Sequence, residues 1–110
     1  MTDMNESAER WEQAAGMVGE TMVDGAQQRI GRVRGLAENP ITMEPTFLVV
    51  KTSLFGRERL VPIESASQAG DLLQVPFSKA LVLDAPVPMS AVSLSTSEEE
   101  ALDRHYRRAA

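Results

Sequence analysis

The sequence predicts a mainly β protein: a small antiparallel β-barrel flanked by one short N-terminal and one short C-terminal helix. Three observations predict it. Short apolar segments succeed one another through residues 17–77, Gly, Pro, Asn or Asp stands at most of the joints between them, and helical spacing of apolar residues is confined to the two ends. A chain of 110 residues has room for one such domain and can bury a core without cross-links.

The first element is a helix over residues 3–15, where Met4, Ala8, Trp11 and Ala15 form one narrow apolar stripe. Asp3 with Glu6 resembles a capping box, and Gly16 closes the segment. A helix this short is marginal in water and needs a surface to pack on. Residues 16–86 then read as strands. Met17–Asp24 leads into a turn at Asp24-Gly25-Ala26-Gln27, and Gln28–Leu36 follows with Gly31 at its centre, where a strand glycine marks a bulge or a close backbone approach. After a loop around Asn39-Pro40, Thr46–Thr52 carries Phe47-Leu48-Val49-Val50, a run too continuous for a strand with one wet face.

Ser53–Gly56 connects tightly into Arg57–Ile63, and a turn at Gln68–Asp71 leads to Leu72–Phe77. Pro62 and Pro76 lack the N–H a ladder needs, which confines them to edges, strand ends or bulges. Five strands at this spacing favour a closed or half-closed barrel. Its expected core includes Val33, Leu36, Phe47, Val49, Leu60, Val61, Ile63, Leu72, Val75 and Phe77. Residues 87–96 form a linker of Pro, Ser, Val and Thr. The C-terminal segment, 97–110, holds a helix over Ser97–Arg108, with Ser97 and Glu100 as its capping box and Arg104, Arg107 and Arg108 in its last turn.

Composition narrows the function. With no cysteine, disulfides, thiolate metal sites and thiol nucleophiles are all excluded. No run approaches the roughly 20 apolar residues of a membrane helix. The acidic start, Met1 to Glu6, has no apolar core behind it, so a cytoplasmic address is expected. A net charge of −5 opposes binding a phosphate backbone with the whole surface. The acids are unevenly placed, however. The first 15 residues hold four acids and one base, whereas residues 16–86 are close to neutral and have room for a local basic face.

The middle of the chain resembles a known family. Met17-Val18-Gly19-Glu20-Thr21-Met22-Val23-Asp24, followed by Arg29-Ile30-Gly31-Arg32-Val33, looks like the opening of a PRC-barrel domain, a fold named for the photosynthetic reaction centre and recurrent in ribosome maturation factors. The run from Val50 through Leu54-Phe55-Gly56 to Ile63 is similar to that family's third strand, glycine-closed turn and fourth strand. Asp71–Lys79 with Asp84-Ala85-Pro86 resembles its fifth strand and exit, and Glu98-Glu99-Glu100 through His105-Tyr106 resembles the helix of stand-alone bacterial members. Two loops depart from the pattern: Gln27 stands near the usual turn glycine, with Gly25 displaced, and Glu38-Asn39-Pro40-Ile41-Thr42 replaces an acidic turn. The resemblance implies a barrel of about six strands that acts as a docking platform, binds ribosomal protein or neighbouring subunits, and has no conserved catalytic set.

The residues agree in offering little chemistry. His105 is the only histidine; it sits on the C-terminal helix, where packing or charge complementarity to a helix end explains it better than general-base work. Zinc would need several more nitrogen or sulfur ligands. Glu98-Glu99-Glu100 with Asp103 could be read as a hard-metal site, but only Glu99 and Asp103 share a helix face, and acids at a positive helix end are the plainer account. The glycines lack the G-K-[ST] of a phosphate loop. No cofactor, metal or catalytic residue is therefore expected, and the chain is expected not to be an enzyme.

Two surfaces stand out as partner-binding candidates. Arg32 and Arg34 share one strand face and Arg57 and Arg59 another, so four guanidiniums would converge if those strands were neighbours. They would then suit an acidic protein or, less well without interleaved aromatics, RNA or the ribosome. Neutralised by nearby acids, they would be a solvated wall. Leu54 and Phe55 stand at a hairpin tip, either folded over a barrel mouth or presented to a partner. Trp11 poses the same alternative, capping its own barrel or docking to a second copy. The expectation is a non-enzymatic interaction or assembly module, self-associating as a homodimer or larger, with RNA or ribosome binding as the alternative.

Overall fold

In the computed structural model, residues 3–90 and 93–108 are described, with side chains for 8–90 and 93–107. The chain runs as α1 (Asp3–Ala15), β1 (Thr21–Val23), β2 (Arg29–Glu38), β3 (Pro45–Lys51), β4 (Arg59–Pro62), a 3-10 turn (Ile63–Ser65), β5 (Ser67–Ala69), β6 (Leu72–Gln74), α2 (Lys79–Leu83) and α3 (Thr96–Arg108). The six strands form one mixed sheet in the order β4-β3-β2-β1-β6-β5, curled into a half-barrel.

The curl has visible causes. The ten-residue β2 pairs with β1 from Arg29 to Arg32 and with β3 from Arg32 to Glu38, and its ladders are interrupted by register shifts at Met22/Val23, Val33/Gly35 and Ala37/Glu38. Each irregularity bends the strand and raises its twist. At Gly31 a Cβ would collide with the Lys51 carbonyl oxygen of β3, so the sequence expectation of close backbone approach is met.

Four of the five strand pairs are antiparallel; β1–β6 is parallel. This differs from the all-antiparallel expectation, and the reason is the extra strand. Ser67–Ala69, which overlaps the expected Gln68–Asp71 turn, instead pairs with Leu72–Gln74 as a small ribbon. That ribbon docks through β6, so the strand reaching β1 runs in the same direction as β1. The ladder of β5 is easy to overlook because all three of its residues are exposed.

The Phe47–Val50 run is buried throughout. Its other side is covered because α1 packs on β2 and β3, while α2 and α3 pack on β4. Of the expected core, Val33, Phe47, Val49, Leu60, Val61, Val75 and Phe77 are buried, and Leu36, Ile63 and Leu72 are half-buried. Met22, Ile30, Leu48, Val50, Leu73, Leu102 and Tyr106 complete the core. Pro62 ends β4 and Pro76 follows β6, both at strand ends as their missing donors require.

The turns place two side chains where glycine is usual, Gln27 and Met43 (φ 62°). In the 24–27 turn, buried Asp24 accepts hydrogen bonds at Oδ1 from the Ala26 and Gln28 amides (2.8 and 2.9 Å), and Gln27 takes φ 64°. The conformation a glycine would supply is kept with a glutamine. After α1, the left-handed residue is Gly19 (φ 95°), three positions beyond the expected stop at Gly16.

α1 differs from expectation in the residue it buries, and α3 in its cap. In α1 the buried residue is Ala14, with Trp11 half-buried and Ala8 and Ala15 exposed. The Met4 side chain and the Asp3–Glu6 box lie outside the described side chains. In α3 the capping box is Ser95 with Glu98: the Glu98 amide donates to Ser95 Oγ (3.1 Å), and the Ser95 amide donates to Glu98 Oε1 (2.9 Å). Ser97 and Glu100 satisfy the same pattern two residues later, and the structure uses the earlier pair. The 87–96 stretch is preceded by the helix α2, which the short run Lys79–Leu83 did not announce; Ser78 caps it through Leu81.

Candidate interaction surface

Among the described residues Ile41, Met43 and Met89 are large apolar side chains more than half exposed, and the β3–β4 ribbon carries the adjacent exposed pair Leu54 and Phe55. At one end, residues 52–58 turn the chain around, held by the Gly56 amide donating to Ser53 Oγ (2.9 Å). Leu54 is 75% exposed there and Phe55 95%. Such burial is large to forgo, since removing a Phe side chain from water is worth about 1.5–3 kcal/mol. Of the two sequence alternatives, the tip folded over a mouth is not what the structure shows. Lys51, Arg57 and Arg59 stand at the strand ends leading into the tip, with Glu58 as the one acid among them.

The four arginines do not come together. Arg32 of β2 is opposite Lys51 of β3 and Thr21 of β1, whereas Arg59 of β4 is opposite Val50, which is opposite Val33. Successive rows face opposite sides of a sheet, so Arg32 and Arg59 point away from one another. Arg32 is exposed, its Nε donating to the Gly19 carbonyl (3.0 Å); Arg34 is exposed at the β2 irregularity and Arg57 is exposed beside the tip. Arg59 is half-buried, and its Nε has no hydrogen-bond partner among the described residues.

At the other end of the ribbon, where Phe47 pairs with Pro62, a groove opens between β4, the 3-10 turn and α3. It has two lobes that share Pro62, Glu64 and Asp103. One lobe, of about 350 Å³, is floored by Pro62, Pro76, Phe77 and Tyr106. The other, of about 620 Å³, extends towards α1 and is lined by Glu44, Thr46 and Glu99. Here two polar atoms, Thr46 Oγ1 and Glu99 Oε2, are buried without a hydrogen-bond partner among the described residues. Buried polar atoms are satisfied in the great majority of cases, so this hydroxyl and this carboxylate oxygen are exceptions. Glu99 Oε1 is occupied, accepting from Asn39 Nδ2 (2.6 Å). Arg10 of α1 closes the far side through Glu44 (2.6 Å).

Sequence reasoning had put Glu99 and Asp103 on one helix face, and both line the groove. It did not find the groove itself, because its walls come from residues that are far apart in the chain.

Tyr106 forms the groove's base. Its hydroxyl donates to the Leu60 carbonyl (2.5 Å), and its ring lies 4.7 Å from that of Phe77. Burial pushes its phenol up, with the nearby Arg59 guanidinium drawing it partly back. His105 faces the other way and its Nε2 lies 2.8 Å from the Leu81 carbonyl of α2; since a carbonyl can only accept, Nε2 carries the proton. Among the described residues no three His, Asp or Glu side chains are grouped to hold a metal ion, and no helix is long and apolar enough to cross a membrane. Comparison with protein-family models gives no match, and the search of curated proteins gives no significant one.

Proposed function

We propose that this chain is a non-enzymatic protein-interaction module, built on a PRC-barrel-like fold, that docks through the tip of its β3–β4 ribbon. The observation that carries this reading is the exposed pair Leu54-Phe55. A short loop held by its own Ser53–Gly56 hydrogen bond presents two large apolar side chains in a fixed place. A pre-shaped apolar knob loses little conformational freedom on binding, which is what makes aromatic anchors effective in interfaces. The curled six-stranded sheet and the C-terminal helix packed on it support the PRC-barrel-like assignment. The RNA alternative has less support, because Arg32 and Arg59 point to opposite sides of the sheet and Arg57 lies outside its strand.

The test is a photoreactive phenylalanine analogue at position 55, irradiated in the cells that make the protein, with adducts identified by mass. Protein adducts at 55, absent from a control with the analogue at exposed Ala69, are the expected result. Adducts to RNA alone, or none above the control, would overturn the reading.

A further inference from the structure

We infer that the partner of the tip is a second copy of the same chain: the Phe55-Gly56-Arg57 knob of one molecule enters the groove between the 3-10 turn and α3 of the next. This rests on the proposed docking role of the tip and names its occupant.

The two surfaces are complementary in chemistry. The knob offers an aromatic ring and, two residues on, an exposed guanidinium. The groove offers a ring-lined lobe, floored by Pro62, Pro76, Phe77 and Tyr106, flanked by the carboxylates of Glu64 and Asp103. Its volume of about 350 Å³ is ample for a phenyl ring. Across both lobes four carboxylates face two guanidiniums, Arg10 and Arg107, and Arg10 is already engaged by Glu44. The surplus is negative where the knob is positive. Arginine, with its fork of N–H groups, is the side chain best matched to such carboxylates.

A molecule cannot satisfy its own groove. The knob follows the Lys51 end of β3, and the groove begins at the opposite end, where Phe47 meets Pro62. The contact therefore joins two different surfaces of successive molecules, a heterologous arrangement that propagates head to tail unless its rotation closes a ring. Because Arg57 and the carboxylates are exposed or half-exposed, added salt should weaken the association.

The experiment uses the full chain and two variants, each checked for an unchanged circular-dichroism spectrum. Phe55→Asp disables the knob but keeps the groove. Glu64→Lys with Asp103→Arg disables the groove but keeps the knob; both positions are accessible, and a base is favourable late in α3. Sedimentation velocity across concentration should show self-association of the wild type, and each variant alone weakened by about tenfold or more, as expected of a hot-spot residue or its acceptor. Mixing the two variants should restore a 1:1 complex and nothing larger, since only one knob and one groove remain competent. A monomeric wild type, a Phe55→Asp chain that associates as well as the wild type, or a mixture that forms no complex would each overturn the inference. Adducts at position 55 to a different protein would then leave the docking role standing, and their absence would remove both.

Discussion

The two helices that flank the sheet are similar in length and unlike in attachment. α3 is fixed at three levels: buried Leu102 and Tyr106 in the core, a side-chain hydrogen bond from Tyr106 to β4, and a complete box at its start. Glu98 of that box also accepts from the Met89 amide (2.8 Å), tying the preceding segment to the helix. α1 rests on β2 and β3, with Ala14 buried and Trp11 half-buried, and its one side-chain link among the described residues is the exposed pair Arg10–Glu44. Two helices with equally plausible apolar stripes thus differ in that one is part of the core and the other leans on it.

The sharpest way to break this comparison is at Tyr106. Tyr106→Ala removes a buried ring and should cost about 3–5 kcal/mol, as for other large aromatic-to-alanine changes in cores. Tyr106→Phe keeps the ring and leaves the Leu60 carbonyl without its donor, at about 1–3 kcal/mol. The phenol also makes the fold alkali-sensitive. Its pKa is raised in the folded state, so its contribution is complete below the ordinary tyrosine value of about 10 and declines as pH rises beyond it. Urea unfolding of the wild type should therefore lose stability above that pH, and Tyr106→Phe should lose less. An equal alkaline decline in both would mean that another group carries it.

How much of this could be read from the chain depends on the distance over which each feature is decided. The limits of α1 and the placement of β2, β3 and β4 were legible to within about two residues because propensity and turn residues are local. The cap of α3 was not: Ser95, Ser97 and three consecutive glutamates satisfy the capping pattern twice, and the earlier pair is the one formed. The parallel β1–β6 pair depends on which strand of the β5–β6 ribbon meets β1, and nothing local specifies it. The same division holds for the candidate site. Leu54 and Phe55 were visible as a knob because they are adjacent, while the groove draws on residues 44–46, 62–64 and 99–107. The arginines were expected as two in-strand pairs, but Arg57 lies outside β4, Arg34 sits at the β2 irregularity, and β3 separates Arg32 from Arg59, which point to opposite sides of the sheet.

A change at the α3 cap should have a smaller effect than loss of the ring. Ser95→Ala removes the acceptor of the Glu98 amide and should cost about 1 kcal/mol. The pH response has the opposite sense to that of Tyr106. Amide hydrogen bonds from Ser95 and Met89 hold the Glu98 carboxyl below its usual range, so what it contributes is present above the ordinary glutamate value of about 4.3 and fades as pH falls through its lower folded value. Glu98→Gln should flatten that part of the acid limb. An acid limb of the same slope in Glu98→Gln and the wild type would show that the box is not what titrates.

The smallest effect belongs to α1. Arg10 is 59% exposed and Glu44 26% in their shared ion pair, and pairs of this kind are worth about 0.2–1 kcal/mol in water and less in salt. Arg10→Ala should therefore leave chemical denaturation nearly unchanged, and whatever difference it makes should vanish at high ionic strength. A loss as large as that of Ser95→Ala, persisting in salt, would mean that α1 is held as firmly as α3. Its half-buried Trp11 would then belong to the core, and the contrast between the two helices would fail. If Arg10→Ala is silent, the far wall of the groove is closed by a weak latch, and Glu44 becomes a further carboxylate for an incoming guanidinium at almost no cost to the fold.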